Sequence, residues 1–333
     1  MSRVLVTGGA GYIGSHAVRA LRAEGHHVVV FDDLSAGHAA SVPENVPLVR
    51  ARIHDRAALT TALREHRIDS VMHFAAWLSV PDSVRDPLSY YQNNVVGSLT
   101  LLEAMRDVDV RAMVFSSTCA VYGEPSTTPI QETEPTRPIN SYGETKLAVE
   151  RALGHLERSH GLRWIALRYF NAAGAHPDGT IGEDHSPEIH VIPRAIQAAT
   201  DGPPLLLFGQ DYPTPDGTCL RDYIHVCDLA DAHVCALRGL NDGVESGSFN
   251  AGTGQPHSVR QVIDTVTRVV GAPVRWNAAP RRPGDPAILY ASSDRLQHEL
   301  GWRPRFPDLE TIVQHAWRWH QTHPHGYRSA ASS

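Results

Sequence analysis

Tyr142-Gly143-Glu144-Thr145-Lys146 places a phenol and an ammonium four residues apart. On a helix that spacing puts both groups on one face, where they can address the same ligand. A free tyrosine ionises near pH ~10, and lowering that to ~7 takes roughly 4 kcal/mol of preference for the phenolate. One cation at about 4 Å supplies roughly that much at an effective dielectric near 20. Lys146 and the positive ring of an oxidised nicotinamide are the two sources to hand. A tyrosine so tuned can take a hydroxyl proton while the carbinol carbon is oxidised. A bare Tyr-x-x-x-Lys also arises by chance on solvated helix faces, so its position in the chain has to decide. Ser116-Ser117-Thr118 supplies hydroxyls after an apolar strand, and a glycine turn lies upstream.

That turn is Thr7-Gly8-Gly9-Ala10-Gly11-Tyr12-Ile13-Gly14, with glycines at 8, 11 and 14. The first permits a tight turn, the second lets backbone approach a pyrophosphate, and the third lets helix pack on strand. Amides at a helix start favour phosphate charge. A second strand ends at Asp32, 18 residues after Gly14. A carboxylate there accepts from the adenosine-ribose hydroxyls and repels a 2′-phosphate. Asp33-Leu34-Ser35-Ala36-Gly37-His38 offers no Arg or Lys to counter it, so NAD is expected over NADP.

These groups need a scaffold, and the pattern supplies one. Arg3–Thr7, His27–Phe31, Pro47–Ala51, Ser70–Phe74, Ala112–Ser116 and Trp164–Tyr169 read as strands. Tyr12–Glu24, Arg56–His66, Pro87–Arg106 and Tyr142–His160 read as the helices between them. The alternation predicts an α/β fold, a Rossmann-type doubly wound parallel sheet with helices on both faces. After Asn171 the chain turns rich in Gly, Pro and Asp, with one helix near Ile189–Ala199 and one strand, Leu205–Phe208. Helix Val226–Leu240 and strand Gly247–Ala251 return to the sheet. A dinucleotide-binding domain of residues 1–171 plus 225–251 is therefore expected, with a smaller, discontinuous α/β substrate lobe of 172–224 plus 252–333. The Ser/Ala end, Ser329–Ser333, reads as disordered.

Composition narrows the function further. The 333 residues carry 30 Lys+Arg against 36 Asp+Glu, a formal charge of −6, which argues against a general nucleic-acid or anionic-membrane binder. Phe74–Leu78 is five apolar residues long, far short of the roughly 20 that span a bilayer. No signal-peptide core precedes Val4-Leu5-Val6. A cytoplasmic enzyme is expected. Four cysteines are too few for a disulfide scaffold, and Cys227 and Cys235 suit one buried helix face. Twenty histidines raise the question of metal, but the tail set His315, His320, His323 and His325 lacks zinc-motif partners. No metal is expected.

The chain resembles the extended short-chain dehydrogenase/reductase family and, within it, the nucleotide-sugar 4-epimerases. The resemblance rests on Val4–His16, Tyr90-Tyr91-Gln92-Asn93-Asn94, Val114–Gly123, Arg168–Ala175, Phe208–Val226 and Arg281–Asp285, and covers essentially the whole chain. It implies interconversion of UDP-glucose and UDP-galactose through a 4-keto sugar, with NAD tightly held and recycled. It also implies catalysis by Tyr142, Lys146 and Thr118, the last on the sugar 4-oxygen. The cofactor residues it implies are Gly8, Gly11, Tyr12, Ile13, Gly14, Asp32, Asp33, Leu34, Ser35, Arg52, Ile53, Phe74, Ala75, Ala76, Leu78, Asn93, Ser116, Tyr142, Lys146 and Phe170. For the substrate they are Thr118, Tyr142, Tyr169, Asn171, His190, Val191, Phe208, Arg221, Arg282, Asp285 and Leu289. Arg221 and Arg282 suit a diphosphate, because guanidinium geometry matches phosphate oxygens.

Three positions depart from the common pattern. Leu78 stands where a lysine often meets the cofactor phosphates, and Arg52 where an aspartate often meets the adenine. Leu289 stands where some members have tyrosine and others a small residue that admits N-acetylated sugars. An epimerase of UDP-N-acetylhexosamines, or another sugar-nucleotide-modifying member, is the alternative. Dehydratases of the family carry an Asp-Glu pair after the substrate hydroxyl and decarboxylases a glutamate nearby. Here Cys119 and Ala120 follow Thr118, and no glutamate comes before Glu124. A binding protein without chemistry would be expected to lose Tyr142 or Lys146. The resemblance also implies a homodimer that pairs Pro87–Arg106 and Gly143–His160 with their copies.

Overall fold

The computed structural model describes residues 1–282 and 286–327. Asp285 and the Ser329–Ser333 tail lie outside the described residues. In chain order the elements are β1 (Arg3–Thr7), α1 (Tyr12–Ala23), β2 (His27–Phe31), β3 (Leu48–Val49), α2 (Arg56–Glu65), β4 (Ser70–His73), α3 (Val80–Arg85), α4 (Pro87–Tyr90), α5 (Gly97–Asp107) and β5 (Ala112–Ser116). Then come α6 (Ser141–His160), β6 (Arg163–Tyr169), β7 (Asn171–Ala173), α7 (Val191–Ala199), β8 (Leu205–Phe208), β9 (Leu220–His225), α8 (Val226–Asn241) and β10 (Gly247–Ala251). The chain finishes with β11 (Pro256–Ser258), α9 (Val259–Val270), β12 (Trp276–Ala279), β13 (Ile288–Leu289), α10 (Asp294–Leu300) and α11 (Leu309–Thr322).

Seven strands form one sheet in the order β10-β6-β5-β4-β1-β2-β3, every pair parallel. Successive strand residues point to opposite faces. Val4, Val6, Val28 and Val30 thus join α1 and α8 in one core, while Leu5, Val29 and Phe31 join α2, α5 and α6 in the other. Burial on both faces explains the uninterrupted apolar runs. The chain moves outward from β1 in both directions, so the crevice beyond the strand ends opens between β1 and β4. That topological switch point is where ligands bind in such sheets.

The expected helix 87–106 is unbroken but changes its winding: α4, a π-helical turn at Tyr91–Val96, and α5 follow one another directly. Buried Asn94 pins the turn. It accepts from the Trp77 amide at 2.8 Å, donates to the Trp77 carbonyl at 3.0 Å and donates to Thr145 Oγ1 at 3.2 Å.

Beyond β6, a third core gathers α7, α9 and α11 over β8 and β9. β9 pairs with β7, β11 and β13, and β8 pairs with β12. Sequence reading missed β9, and the reason is chemical: Leu-Arg-Asp-Tyr-Ile-His lacks an apolar run. Its fully buried Asp222 is satisfied instead by Thr253 Oγ1 at 2.7 Å and by the amides of Thr253 and Gly254 at 2.9 and 3.1 Å. β7 and β13 are only three and two residues long, too short for periodicity to register.

Candidate active site

The glycine turn closes β1 onto α1 so tightly that side chains are excluded. Gly8 has φ +71°, and a Cβ on it would lie 2.6 Å from the Ala75 nitrogen. A Cβ on Gly14 would lie 2.1 Å from the Gly8 carbonyl oxygen. Helix α1 has no side chain capping its start, which leaves first-turn amides around Tyr12 and Ile13 for an anion. Asp32 accepts from the Ala10 amide at 3.0 Å through one oxygen and from the Leu34 amide at 2.9 Å through the other. Burial pushes its carboxyl pKa up, opposed by those two amides. A carboxylate has about four acceptor positions, so Asp32 can join turn to loop and still bind ribose hydroxyls. Asp33 accepts from the Ser35 amide at 2.9 Å, and Leu34 takes a positive φ of 61°. This cradle fits a dinucleotide.

Further along the crevice the expected residues divide. Phe74, Ala75 and Ala76 follow β4 half-buried, with the Phe74 ring 4.6 Å from that of His233. Ile53 is buried in the sheet core, so its side chain serves packing. Arg52 and Leu78 are exposed. Asn93 is half-buried and donates to Asn94 at 3.0 Å.

The reacting pair sits at the start of α6. Asn140 caps this helix by accepting from the Gly143 amide at 2.9 Å. Gly143 lies so near the Ala120 carbonyl that a Cβ would approach to 2.6 Å. That contact presses the helix start against the turn at Cys119–Tyr122. Tyr142 consequently meets Thr118, whose hydrogen bond favours the phenolate. Burial and the neighbouring Tyr169 outweigh it and push the phenol pKa well up. Lys146 is buried, donates to the Ser116 carbonyl at 2.7 Å, and stands 5.9 Å from the Tyr142 ring centre. Burial pulls its pKa down to about 7, with Glu150 resisting. Ser116 Oγ is hydrogen-bonded to the Tyr169 hydroxyl, so both residues belong to this wall.

Glu150, one further turn along α6, escaped the sequence reading. It forms a buried pair with Arg168 at 2.5 Å and accepts from Ser117 Oγ at 2.5 Å. Arg168 also donates to the Tyr122 hydroxyl at 3.0 Å, which donates to Asn250 at 2.7 Å. The recurrence Tyr142, Lys146, Glu150 was the available signal.

The residues expected to hold the substrate converge on the smaller sheets. Asn171 on β7 donates to the Asp222 carbonyl at 3.0 Å. Leu289 lies beside Arg221 in the β13–β9 register. Leu289 and Phe170 also pack against Val121, Tyr122 and Leu147, tying this sheet to the reacting turn. Burial drives the Cys119 thiol up to about 12, although the Arg221 charge pulls it down. The Arg282 guanidinium stacks 4.0 Å over the Phe208 ring. His190 occupies the N-cap position of α7 without a side-chain cap hydrogen bond, and Val191 begins the helix; His190 faces two glutamates.

A parallel sheet with a glycine-rich first turn, an acidic second-strand end and a buried Tyr-Lys helix defines a nicotinamide-dinucleotide-dependent enzyme. The chain belongs to the NAD dependent epimerase/dehydratase family, whose model matches residues 4–252. It is 52% identical over 325 residues to a UDP-glucose 4-epimerase of Halalkalibacterium halodurans, covering 97% of each chain. It resembles the structure of UDP-glucose 4-epimerase from Brucella ovis in complex with NAD at a TM-score of 0.92 and 45% identity, covering 95% of this chain and 97% of that one. It matches the Bifidobacterium longum UDP-glucose 4-epimerase in complex with NAD+ and UDP at 0.92 and 35%, covering 98% and 100%.

Proposed function

We propose that this protein interconverts UDP-glucose and UDP-galactose by reversible oxidation at C4 of the hexose, with NAD as a resident cofactor. The observation that carries this reading is the convergence of Tyr142, Thr118 and buried Lys146 below the dinucleotide cradle. Bound NAD supplies a reversible two-electron acceptor. The cradle at Gly8–Gly14 would hold its diphosphate, Asp32 its adenosine ribose and Lys146 its nicotinamide ribose. Tyr142 takes the proton of the 4-hydroxyl and returns it to the 4-oxygen, which Thr118 positions. Lys146, 5.9 Å from the centre of the phenol ring and itself pulled down to about 7 by burial, contributes at most about 3 kcal/mol towards ionisation at an effective dielectric near 20. With burial opposing, a second positive charge near the ring is required, and an oxidised nicotinamide carries one. Arg221, Arg282, Asn171 and His190 hold the nucleotide end while the keto-sugar turns over. No acid–base pair for elimination stands beside Thr118, where Cys119 is a neutral thiol.

This reading keeps the division expected from the sequence, 1–171 plus 225–251 for the cofactor and 172–224 plus 252–333 for the nucleotide sugar, with Thr118, Tyr142, Tyr169 and Asn171 of the first part also meeting the sugar nucleotide. Exposed Val84, Leu88, Tyr91, Val96 and Leu99 line the α3–α5 segment; such a run marks an interaction surface, here assigned to a homodimer. Among the described residues no helix is long and apolar enough to cross a membrane. No disulfide joins Cys119, Cys219, Cys227 and Cys235, all among the described residues, and that suits a cytoplasmic location.

The deciding experiment offers UDP-galactose to purified protein without added cofactor and follows UDP-glucose. Conversion is expected. No conversion even with NAD supplied overturns the reading.

A further inference from the structure

The loop between β7 and α7 carries Glu183, His185, Glu188 and His190, and folds all four side chains onto one point. Each offers a donor atom within 4.8 Å of the other three. His190 Nδ1 lies 2.6 Å from Glu183 Oε1 and 3.2 Å from Glu188 Oε1. His185 Nδ1 lies 3.2 Å from Glu183 Oε1 and 3.7 Å from Glu188 Oε2. Both glutamates are buried to within a few per cent, with side-chain exposures of 4% and 7%.

Two buried carboxylates demand about two positive charges. Two imidazolium ions would answer that demand, but each N–H would then need its own acceptor. Here the two imidazoles share acceptors: His190 Nδ1 is hydrogen-bonded to Glu188 Oε1 at 3.2 Å and also lies 2.6 Å from Glu183 Oε1. Glu183 Oε1 and His185 Nδ1 are buried 3.2 Å apart without a well-aligned hydrogen bond. We propose that Glu183, His185, Glu188 and His190 form a binding site for a divalent transition-metal ion, with zinc the best match to two imidazole nitrogens and two carboxylate oxygens. Zinc takes such donors at about 2.0–2.2 Å in a tetrahedron, which puts neighbouring donors ~3.3 Å apart. The four histidine–glutamate spacings of 2.6–3.7 Å bracket that edge.

With all four positions filled by protein, the ion is structural rather than catalytic. It would fasten the loop beside the glycine turn, where Tyr12 meets His185 edge-on at 6.3 Å, and would anchor the start of α7 through His190. Coordination at Nδ1 leaves the His190 Nε2–H as a fixed donor.

The test uses full-length protein without a histidine tag. Elemental analysis is made as purified and after dialysis against zinc, followed by chelation and addition of cobalt(II). One zinc per chain and the strong visible absorption of four-coordinate cobalt are expected. His185→Gln and Glu188→Gln should each lower zinc affinity by ~100-fold or more, while exposed His155→Gln keeps it. Chelator should lower the melting temperature of the parent protein but not of those two variants. Absence of zinc in both preparations, or equal zinc in His185→Gln, overturns the proposal. Should the variants fail to fold by circular dichroism, the cobalt spectrum of the parent decides alone.

Discussion

Lys146 donates from Nζ to the carbonyl oxygen of Ser116 at 2.7 Å and stands 5.9 Å from the ring centre of Tyr142, four residues earlier on the same helix. The lysine is thus tethered to the end of β5 and addresses the phenol through space. Its buried position pulls its pKa down to about 7, and this sets what the pair can do. Replacing Tyr142 by Phe removes the proton acceptor and leaves the cradle untouched. Turnover should fall by at least ~10²–10⁴-fold, the span of general acid–base contributions, with NAD still bound. Rates of epimerisation and cofactor content after gel filtration check this; a rate near that of the parent would remove Tyr142 from its role.

Gly14→Ala should cost cofactor binding before it costs chemistry. The added methyl would meet the Gly8 carbonyl at 2.1 Å, so α1 must shift away from β1 and carry its amides with it. The expected result is protein that purifies without NAD and recovers activity only with excess cofactor. A Gly14→Ala protein that retains full NAD would show the turn to be looser than it is described here.

The Glu150–Arg168 pair under Ser117 predicts a non-additive cycle. Glu150→Gln leaves the Arg168 charge buried and should lose ~3–5 kcal/mol of stability, as should Arg168→Met. The double variant should lose much less than the sum, because the Arg168 charge is then no longer left buried without Glu150. Denaturant titrations give the three values, and simple additivity would contradict the coupling.

Buried histidines predict an acid limit. Burial lowers His16 and His73 to about 3, His233 to about 4 and His225 to about 2. Each folded pKa lies below its ordinary value near 6.5, so the unfolded chain binds more protons as pH falls through 6.5. Stability therefore declines from about pH 6.5 downward, by up to ~1.4 kcal/mol per group and pH unit. Thermal melts between pH 7.5 and 5 should show a steep decline, and a flat profile would contradict neutral burial.

The apolar run at α3–α5 predicts a dimer that two added charges can break. Leu88 is 80% exposed and Leu99 41% exposed. Leu88→Asp combined with Leu99→Asp should shift light-scattering mass from two chains to one without loss of helical signal. An unchanged mass would move the interface elsewhere.

The sequence by itself determined the main sheet and the groups at its switch point. β1, α1 and β2 follow from apolar runs, helical spacing and glycines, and these are local patterns that adjacent residues impose on one another. Asp32, Tyr142 and Lys146 were legible for the same reason: each takes its meaning from a fixed offset to a nearby element. The tertiary structure decided what depends on residues distant in the chain. Asn94 is a buried clamp because Trp77 and Thr145 surround it. β9 is a strand because Thr253 and Gly254 satisfy Asp222, which no periodicity could announce. Glu150 matters because Arg168 folds back onto it from β6. The Glu183–His190 quartet lies in a loop without helical or strand spacing, and only folding collapses its four donors onto one point. Local patterns select elements, but burial, charge pairing and pKa are properties of neighbours that the chain acquires only on closing its core.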